Sequence, residues 1–292
     1  MPEPAPDLVC IGNVTVDESV QPDGTRTEAL GGDAVFAALA ARLAGCRAGW
    51  LAPIGIDLPA GLTARLDAAG LSLDQPRRDL PTVRNVIRYA ADGSRSWDLV
   101  RGEDHFDRMS VYPGDVPAPT LSARGILVLA MSLRAQLMLT PWLRRESAAT
   151  LYLDLQEDYL AGHETELRGL VGSCDVFLPS EVEATHLAGI DDPIAAARRL
   201  AGLGCPVVVV KLAERGCVVV EGGVVTEVPA EVADPVDPTG AGDAFCGAFA
   251  AVHLATGDAV AAARAAVRIA AVAVRGHGVT PLLDAVIAEV CA

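Results

Sequence analysis

Apolar residues in this chain fall into two kinds of run, and the two alternate. Leu8 to Ile11, Trp50 to Gly55, Ile126 to Ala130, Leu151 to Leu155, Val176 to Pro179 and Val207 to Val210 are short runs, as expected of strands buried on both faces. Ala34 to Leu43, Leu58 to Ala69, Ala135 to Ser147, Asp192 to Leu203, Ala241 to His253 and Ala259 to Val274 are longer and read as helices. Gly45, Gly70 and Gly204 end three of them. Val83 to Ala90 and Ser94 to Val100 flank Asp92-Gly93, and Gly216 to Val220 and Gly223 to Val228 flank Glu221-Gly222; both patterns predict hairpins. Thr25 to Leu30, after the turn signal Asp23-Gly24, is a further strand candidate.

Strands alternating with helices predict parallel βαβ units and a sheet covered on both faces. The hairpins near the start and at Asp92-Gly93 break that rhythm and read as a small accessory sheet. Without repeats, charge blocks or a low-complexity linker, the simplest reading is one α/β domain over residues 1–292. The accessory segments, at about 15–30 and 83–101, are inserted in it.

Composition narrows the function. At 292 residues, 51% hydrophobic and 21% charged, the chain is not of the disordered class. Its 23 Lys+Arg against 38 Asp+Glu leave a net charge of −15, which excludes nonspecific partnership with nucleic acid or acidic membranes. An acidic protein must bind phosphate with local devices: backbone amides, a helix N-terminus, a metal or one placed cation. Seven Cys with no C-x-x-C pair, and an N-terminus MPEPAPD lacking cation and apolar core, predict a reduced, cytoplasmic protein without a secretory leader. The apolar stretch Ala244 to Gly257 is too short to span a bilayer. The five His residues show no zinc-binding spacing. Lys211 is the only lysine.

The most informative segment runs from Asp234 to Phe249. In it Gly240, Ala241 and Gly242 stand where a loop enters an apolar helix. Small residues there let the backbone approach a ligand, and the amides of a helix N-terminus suit a phosphate. Asp243 in the first turn repels a merely bound anion. It makes sense as a base that takes the proton of a hydroxyl attacking the phosphoryl group held by those amides. The bland alternative, a capped helix after a Gly-rich turn, fits a bare Gly-x-Gly plus Asp as well.

The full run Asp237-Pro238-Thr239-Gly240-Ala241-Gly242-Asp243 resembles the C-terminal signature of the PfkB (ribokinase-like) family of carbohydrate and nucleoside kinases. Other segments follow in the family's order. Gly12 to Asp17 resembles an N-terminal G-x-x-x-x-D, Gly31-Gly32 a small-residue helix start, and Pro53 to Asp57 with Leu66 and Gly70 a V-G-x-D…L…G segment. Ser180 to Glu183 matches N-x-x-E, and Lys211 to Gly216 a nucleotide-side turn.

The resemblance implies a ribokinase-like three-layer α/β/α fold, with a mainly parallel sheet and a small β-sheet lid. The implied activity is an ATP- and Mg²⁺-dependent kinase acting on a hydroxyl of a small sugar or polyol. A nucleoside or inositol-type acceptor, or a non-catalytic sensor on the same scaffold, stands as an alternative. It implies Asp243 as base and Gly240, Ala241 and Gly242 as anion hole. Asp17, Gly31 and Gly32 hold the acceptor; Asp33 either contacts it or N-caps the Ala-rich helix. Lys211, Gly216 and Thr239 lie by the nucleotide, Glu183 by the metal, and Asp237 by a monovalent-cation site such as potassium. Three departures stand out: Phe36 where the family carries a sugar-binding Asn, Ser180 for Asn, and Ala213 for Gly. Phe36 predicts a less polar acceptor pocket. The lid's exposed edges also offer a route to a homodimer.

Overall fold

The structure, a computed structural model, describes residues 6–72, 74–90 and 95–290. In chain order its strands are β1 (Leu8–Ile11), β2 (Thr15–Val20), β3 (Arg26–Gly31), β4 (Ala48–Leu51), β5 (Val83–Tyr89), β6 (Arg95–Leu99), β7 (Gly125–Val128), β8 (Thr150–Leu153), β9 (Val176–Phe177), β10 (Val207–Lys211), β11 (Cys217–Glu221) and β12 (Val224–Val228). The helices are α1 (Asp33–Leu43), α2 (Ala60–Ala68), α3 (Gly102–Arg108), α4 (Ala118–Leu121), α5 (Leu133–Glu146), α6 (Glu164–Val171), α7 (Glu181–Ala188), α8 (Pro193–Ala201), α9 (Ala241–Thr256), α10 (Ala259–Ala273) and α11 (Thr280–Val290).

The main sheet has the order β12-β11-β10-β9-β8-β7-β1-β4. All neighbours from β10 to β4 are parallel, and the β11–β12 hairpin closes one edge antiparallel. Strand alternation sends Leu8 and Cys10 to one core and Val9 and Ile11 to the other, all four buried. Helices α1, α9, α10 and α11 cover the first face and α5 to α8 the second, which makes the three layers of a ribokinase-like α/β fold. Small residues set the spacing on the first face. A Cβ at Gly247 of α9 would collide with the backbone of Ala37 in α1, so the two helices approach as closely as the sequence allows.

A second sheet, β3-β2-β5-β6, combines both accessory segments; β2–β3 and β5–β6 are antiparallel and β2–β5 parallel. The Asp92-Gly93 turn lies outside the described residues. Several elements differ from the sequence expectation. Thr15–Val20 carries two acids and little apolar pattern, yet forms the first strand of the accessory segment expected at 15–30, paired with β3 and with the distant β5. The strand expected from Trp50 to Gly55 ends at Leu51. Helices α3, α6 and α11 arise in stretches that the periodicity did not mark. Among the described residues no helix is long and apolar enough to cross a membrane.

Candidate active site

The carboxyl ends of β1, β7, β8 and β10 open into a cavity of about 450 Å³, bounded on its far side by the second sheet and α3. Crevices at this end of parallel sheets are where open α/β folds bind ligands. Asn13, Ala130, Asp154 and Lys211 line it from those strand ends, and Gly240, Gly242 and Asp243 from the start of α9.

Gly240 caps α9 in a left-handed conformation, φ 78°, with no side chain bonded to the helix start. The amide of Ala241 is turned to the Pro238 carbonyl at 3.3 Å, and Ala241 does not line the cavity. The expected hole of three amides is reduced accordingly: among the described residues the amides of Gly240 and Gly242 have no backbone acceptor, while that of Ala241 belongs to the turn. Asp243 faces the cavity. Burial and the charge of Asp154 push its carboxyl up to about 6, partly offset by Lys211.

Phe36 lies on the underside of this loop. Its ring is 1% exposed and stands where a Cβ on Gly240 would be, so ring and glycine fit only together. It lines the cavity as expected, yet its main contact is the anion-hole turn.

Asp17, in β2, is buried, and Asn85 Nδ2 of β5 donates to its Oδ1 at 2.8 Å. Burial raises its carboxyl to about 6. Gly31 lies in β3 beside it; a Cβ there would overlap Asp17 Oδ2, so the glycine makes room for the carboxylate rather than lining the cavity. Gly32, φ 102°, is the N-cap of α1, which corrects the expected capping role of Asp33. Asp33 is the first helical residue, and its carboxylate accepts from the Asn13 amide (2.6 Å), Asn13 Nδ2 (3.1 Å) and the Ala34 amide (2.6 Å). It orients Asn13, whose Nδ2 also donates to Ala130 O at 2.9 Å. Asn13 and Asn85 line the cavity and carried no sequence signal of their own.

Lys211 lines the cavity, but its ammonium is bound by both oxygens of Asp154, at 2.8 and 2.9 Å. Burial alone would lower its pKa; the Asp154 carboxylate overcomes that and holds the ammonium charged. Asp154 was missed in the sequence. The available signal was an acid interrupting the apolar run Leu151 to Leu155. Glu183 is 4% exposed and closes a capping box on α7: the Ser180 amide donates to its Oε2 at 2.7 Å, and Ser180 Oγ accepts from the Glu183 amide at 3.2 Å. Burial and then Asp154 push its carboxyl up to about 8.

Of three further predicted residues, two lie off the cavity lining and one lines it. Gly216, φ 94°, shapes the β10–β11 turn outside the cavity lining, since a Cβ there would meet the backbone of Val228 and Ala230. Thr239 lines the cavity, and its amide donates to Asp237 Oδ1 at 2.9 Å. Asp237 is 2% exposed and off the lining. Its carboxylate also accepts from Tyr89 Oη (2.6 Å), His277 Nδ1 (3.1 Å) and Ser19 Oγ (3.4 Å). Among the described residues no group of three or more His, Cys, Asp or Glu is arranged to hold a metal ion.

Comparison with known proteins agrees with this architecture. A model of the pfkB family of carbohydrate kinases matches residues 6–285. The chain is 33% identical over 260 residues to a cytidine kinase of Thermococcus kodakarensis, covering 84% of this chain and 87% of that protein. It shares its fold with the Burkholderia thailandensis nucleoside kinase solved in complex with inosine (TM-score 0.79, 20% identity, 94% of this chain and 92% of that one). The Arabidopsis thaliana ribokinase solved with ribose and ATP is similar too (TM-score 0.76, 23% identity, 97% and 98%). With the family signature at the mouth of α9 and the match spanning nearly its whole length, this chain is a phosphotransferase belonging to the pfkB family of carbohydrate kinases.

Proposed function

We propose that the protein transfers the γ-phosphoryl group of ATP to a hydroxyl of a ribonucleoside. The observation that carries the acceptor class is a cavity lining of two kinds. Asp17, Asn13 and Asn85 offer hydrogen-bonding groups; next to Asn85 on the same face of the second sheet Leu99 and Trp97 of β6, with Phe106 of α3, add an apolar region. A free pentose has hydroxyls all round and leaves the apolar region unused. A nucleoside presents its sugar to the polar region and its base to the apolar one, where ring contact with an aromatic is favourable. The 33% identity to a cytidine kinase supports this reading.

Asp243 accepts the proton of the attacking hydroxyl, and with a carboxyl near 6 it is mostly ionised at pH 7. The Gly240 and Gly242 amides and the dipole of α9 face the charge that builds on the moving group. Asp17, fixed by Asn85, orients the acceptor. The second sheet acts as a lid that keeps water from the reaction.

The donor set also fits magnesium. Asp154, Glu183, Glu157 and Asp158 line one region of the cavity against a single ammonium, an arrangement that repels a bare polyphosphate. Magnesium is normally held by one or two carboxylates plus phosphates and water, so no protein cage is needed. Glu183 and Asp154 would hold it, and when bound it would neutralise phosphate charge.

Coupled ADP release with ATP and a panel of ribonucleosides, ribose and deoxyribose tests the reading. The expected result is kcat/KM at least about tenfold higher for a nucleoside, the worth of one well-used apolar contact. A pentose turned over equally well or better rejects it.

A further inference from the structure

Asp237 departs from what the family resemblance implies for it. An ionised carboxylate offers about four acceptor positions. At least four protein donors among the described residues meet this one: Tyr89 Oη and the Thr239 amide on Oδ1, His277 Nδ1 and Ser19 Oγ on Oδ2. Because a carboxylate only accepts, His277 carries its proton on Nδ1. A cation needs lone pairs, and here it would meet four bound hydrogens at a carboxylate that is 2% exposed. These residues do not fit a monovalent ion.

The donors come from different parts of the fold. Ser19 is in β2 and Tyr89 at the end of β5, both in the second sheet. His277 lies in the α10–α11 connection, and Thr239 directly precedes Gly240. That connection is fastened in both directions. Val274 O accepts from the amides of Val236 and Asp237 at 2.8 and 3.2 Å, and the Val279 amide donates to Leu30 O of β3 at 2.9 Å. The loop that presents the Gly240 and Gly242 amides is therefore clamped between the lid sheet and the C-terminal helices.

We propose that in this chain a hydrogen-bonded latch centred on Asp237 takes the place of a monovalent cation and couples the lid sheet to the anion-hole loop. Tyr89 and His277 are its positioning residues. They touch neither acceptor nor phosphate and act through the register of Thr239 and Gly240. The inference rests on the anion-hole reading above for its effect on turnover, but not for its effect on the lid.

The test compares wild type with Tyr89→Phe, which deletes one hydroxyl, and with His277→Leu and His277→Gln, of which the second keeps a donor. Hydrogen exchange in the absence of substrates should be faster in residues 15–20 and 83–89 of Tyr89→Phe and His277→Leu, with His277→Gln closer to wild type. Turnover of Tyr89→Phe should fall about tenfold with the KM for ATP little changed, as expected of a displaced catalytic loop. In wild type, replacing choline chloride by potassium chloride at constant ionic strength should leave both turnover and Tm unchanged, since an ion bound by the native state alone would raise Tm by mass action. Potassium-dependent activation or stabilisation of wild type overturns the proposal. So does wild-type lid exchange in Tyr89→Phe. If no acceptor is turned over at all, the phosphotransfer reading fails, and the exchange and Tm measurements still decide the latch.

Discussion

Asp243 combines two facts that only make sense together. Its carboxyl is raised to about 6 by burial and by Asp154, and it faces a cavity rather than a partner. A base that is ionised above about pH 6 gives a rate that falls on the acid side of that value, so kcat measured from pH 5 to 8 should show an acid limb there. Asp17 is raised to a similar value, and if it only binds acceptor, Asp17→Asn should raise KM yet leave that limb in kcat. Asp243→Asn should lower kcat about a thousandfold while nucleotide affinity, measured by calorimetry, stays near wild type. Ala213 is the single non-glycine among the described residues with positive φ, 51°, and it is exposed. Ala213→Gly removes that strain and should stabilise the fold by about 1 kcal/mol in urea unfolding.

Elements bring these residues to their places through close approach. β2 and β3 pair Thr15 with Gly31, and the missing side chain at Gly31 is the space that Asp17 occupies. Gly31→Ala should displace Asp17 and raise the acceptor KM about tenfold with a smaller change in kcat. An unchanged KM would remove Asp17 from acceptor binding. Gly240 and Phe36 show the same logic between α9 and α1. The motif Gly240 to Asp243 was legible as a loop entering a helix, and so was the place of Phe36 on α1. That the Phe36 ring would lie beneath Gly240 was not, because the contact joins residues two hundred positions apart. Likewise Asp33 was legible as a helix-start acid. Its partner Asn13 depended on how β1 and α1 meet.

For the molecule as a whole, the concentration of carboxylates in one cavity costs stability when no ligand neutralises them. Asp17 and Asp243 rise to about 6 and Glu183 to about 8, all above their unfolded values. A folded state that binds protons more tightly than the unfolded one gains stability as pH falls toward the unfolded pKa and loses it as pH rises through the folded one. The Tm of the unliganded protein should therefore increase as pH is lowered from about 8 to about 6.5, the window set by Glu183 and the upper flanks of the other two. The proposed magnesium role adds a second expectation. ATP with magnesium should raise Tm more than the sum of either alone, because each relieves the repulsion that the other meets. An additive result would place the metal elsewhere.

Most strands and helices, the acidic balance and the run Asp237 to Asp243 were determined by local pattern. Burial period, turn chemistry and the small residues at a helix mouth are properties of neighbours in the chain. Tertiary structure alone decided which charges meet. It bound the single lysine to Asp154, gave Asp33 to Asn13, and folded the second sheet onto Asp237 through Ser19 and Tyr89. The reason is physical: a hydrogen bond or ion pair forms wherever the packed layers bring donor and acceptor within about 3 Å, at any distance along the chain, and residue spacing holds no record of that meeting.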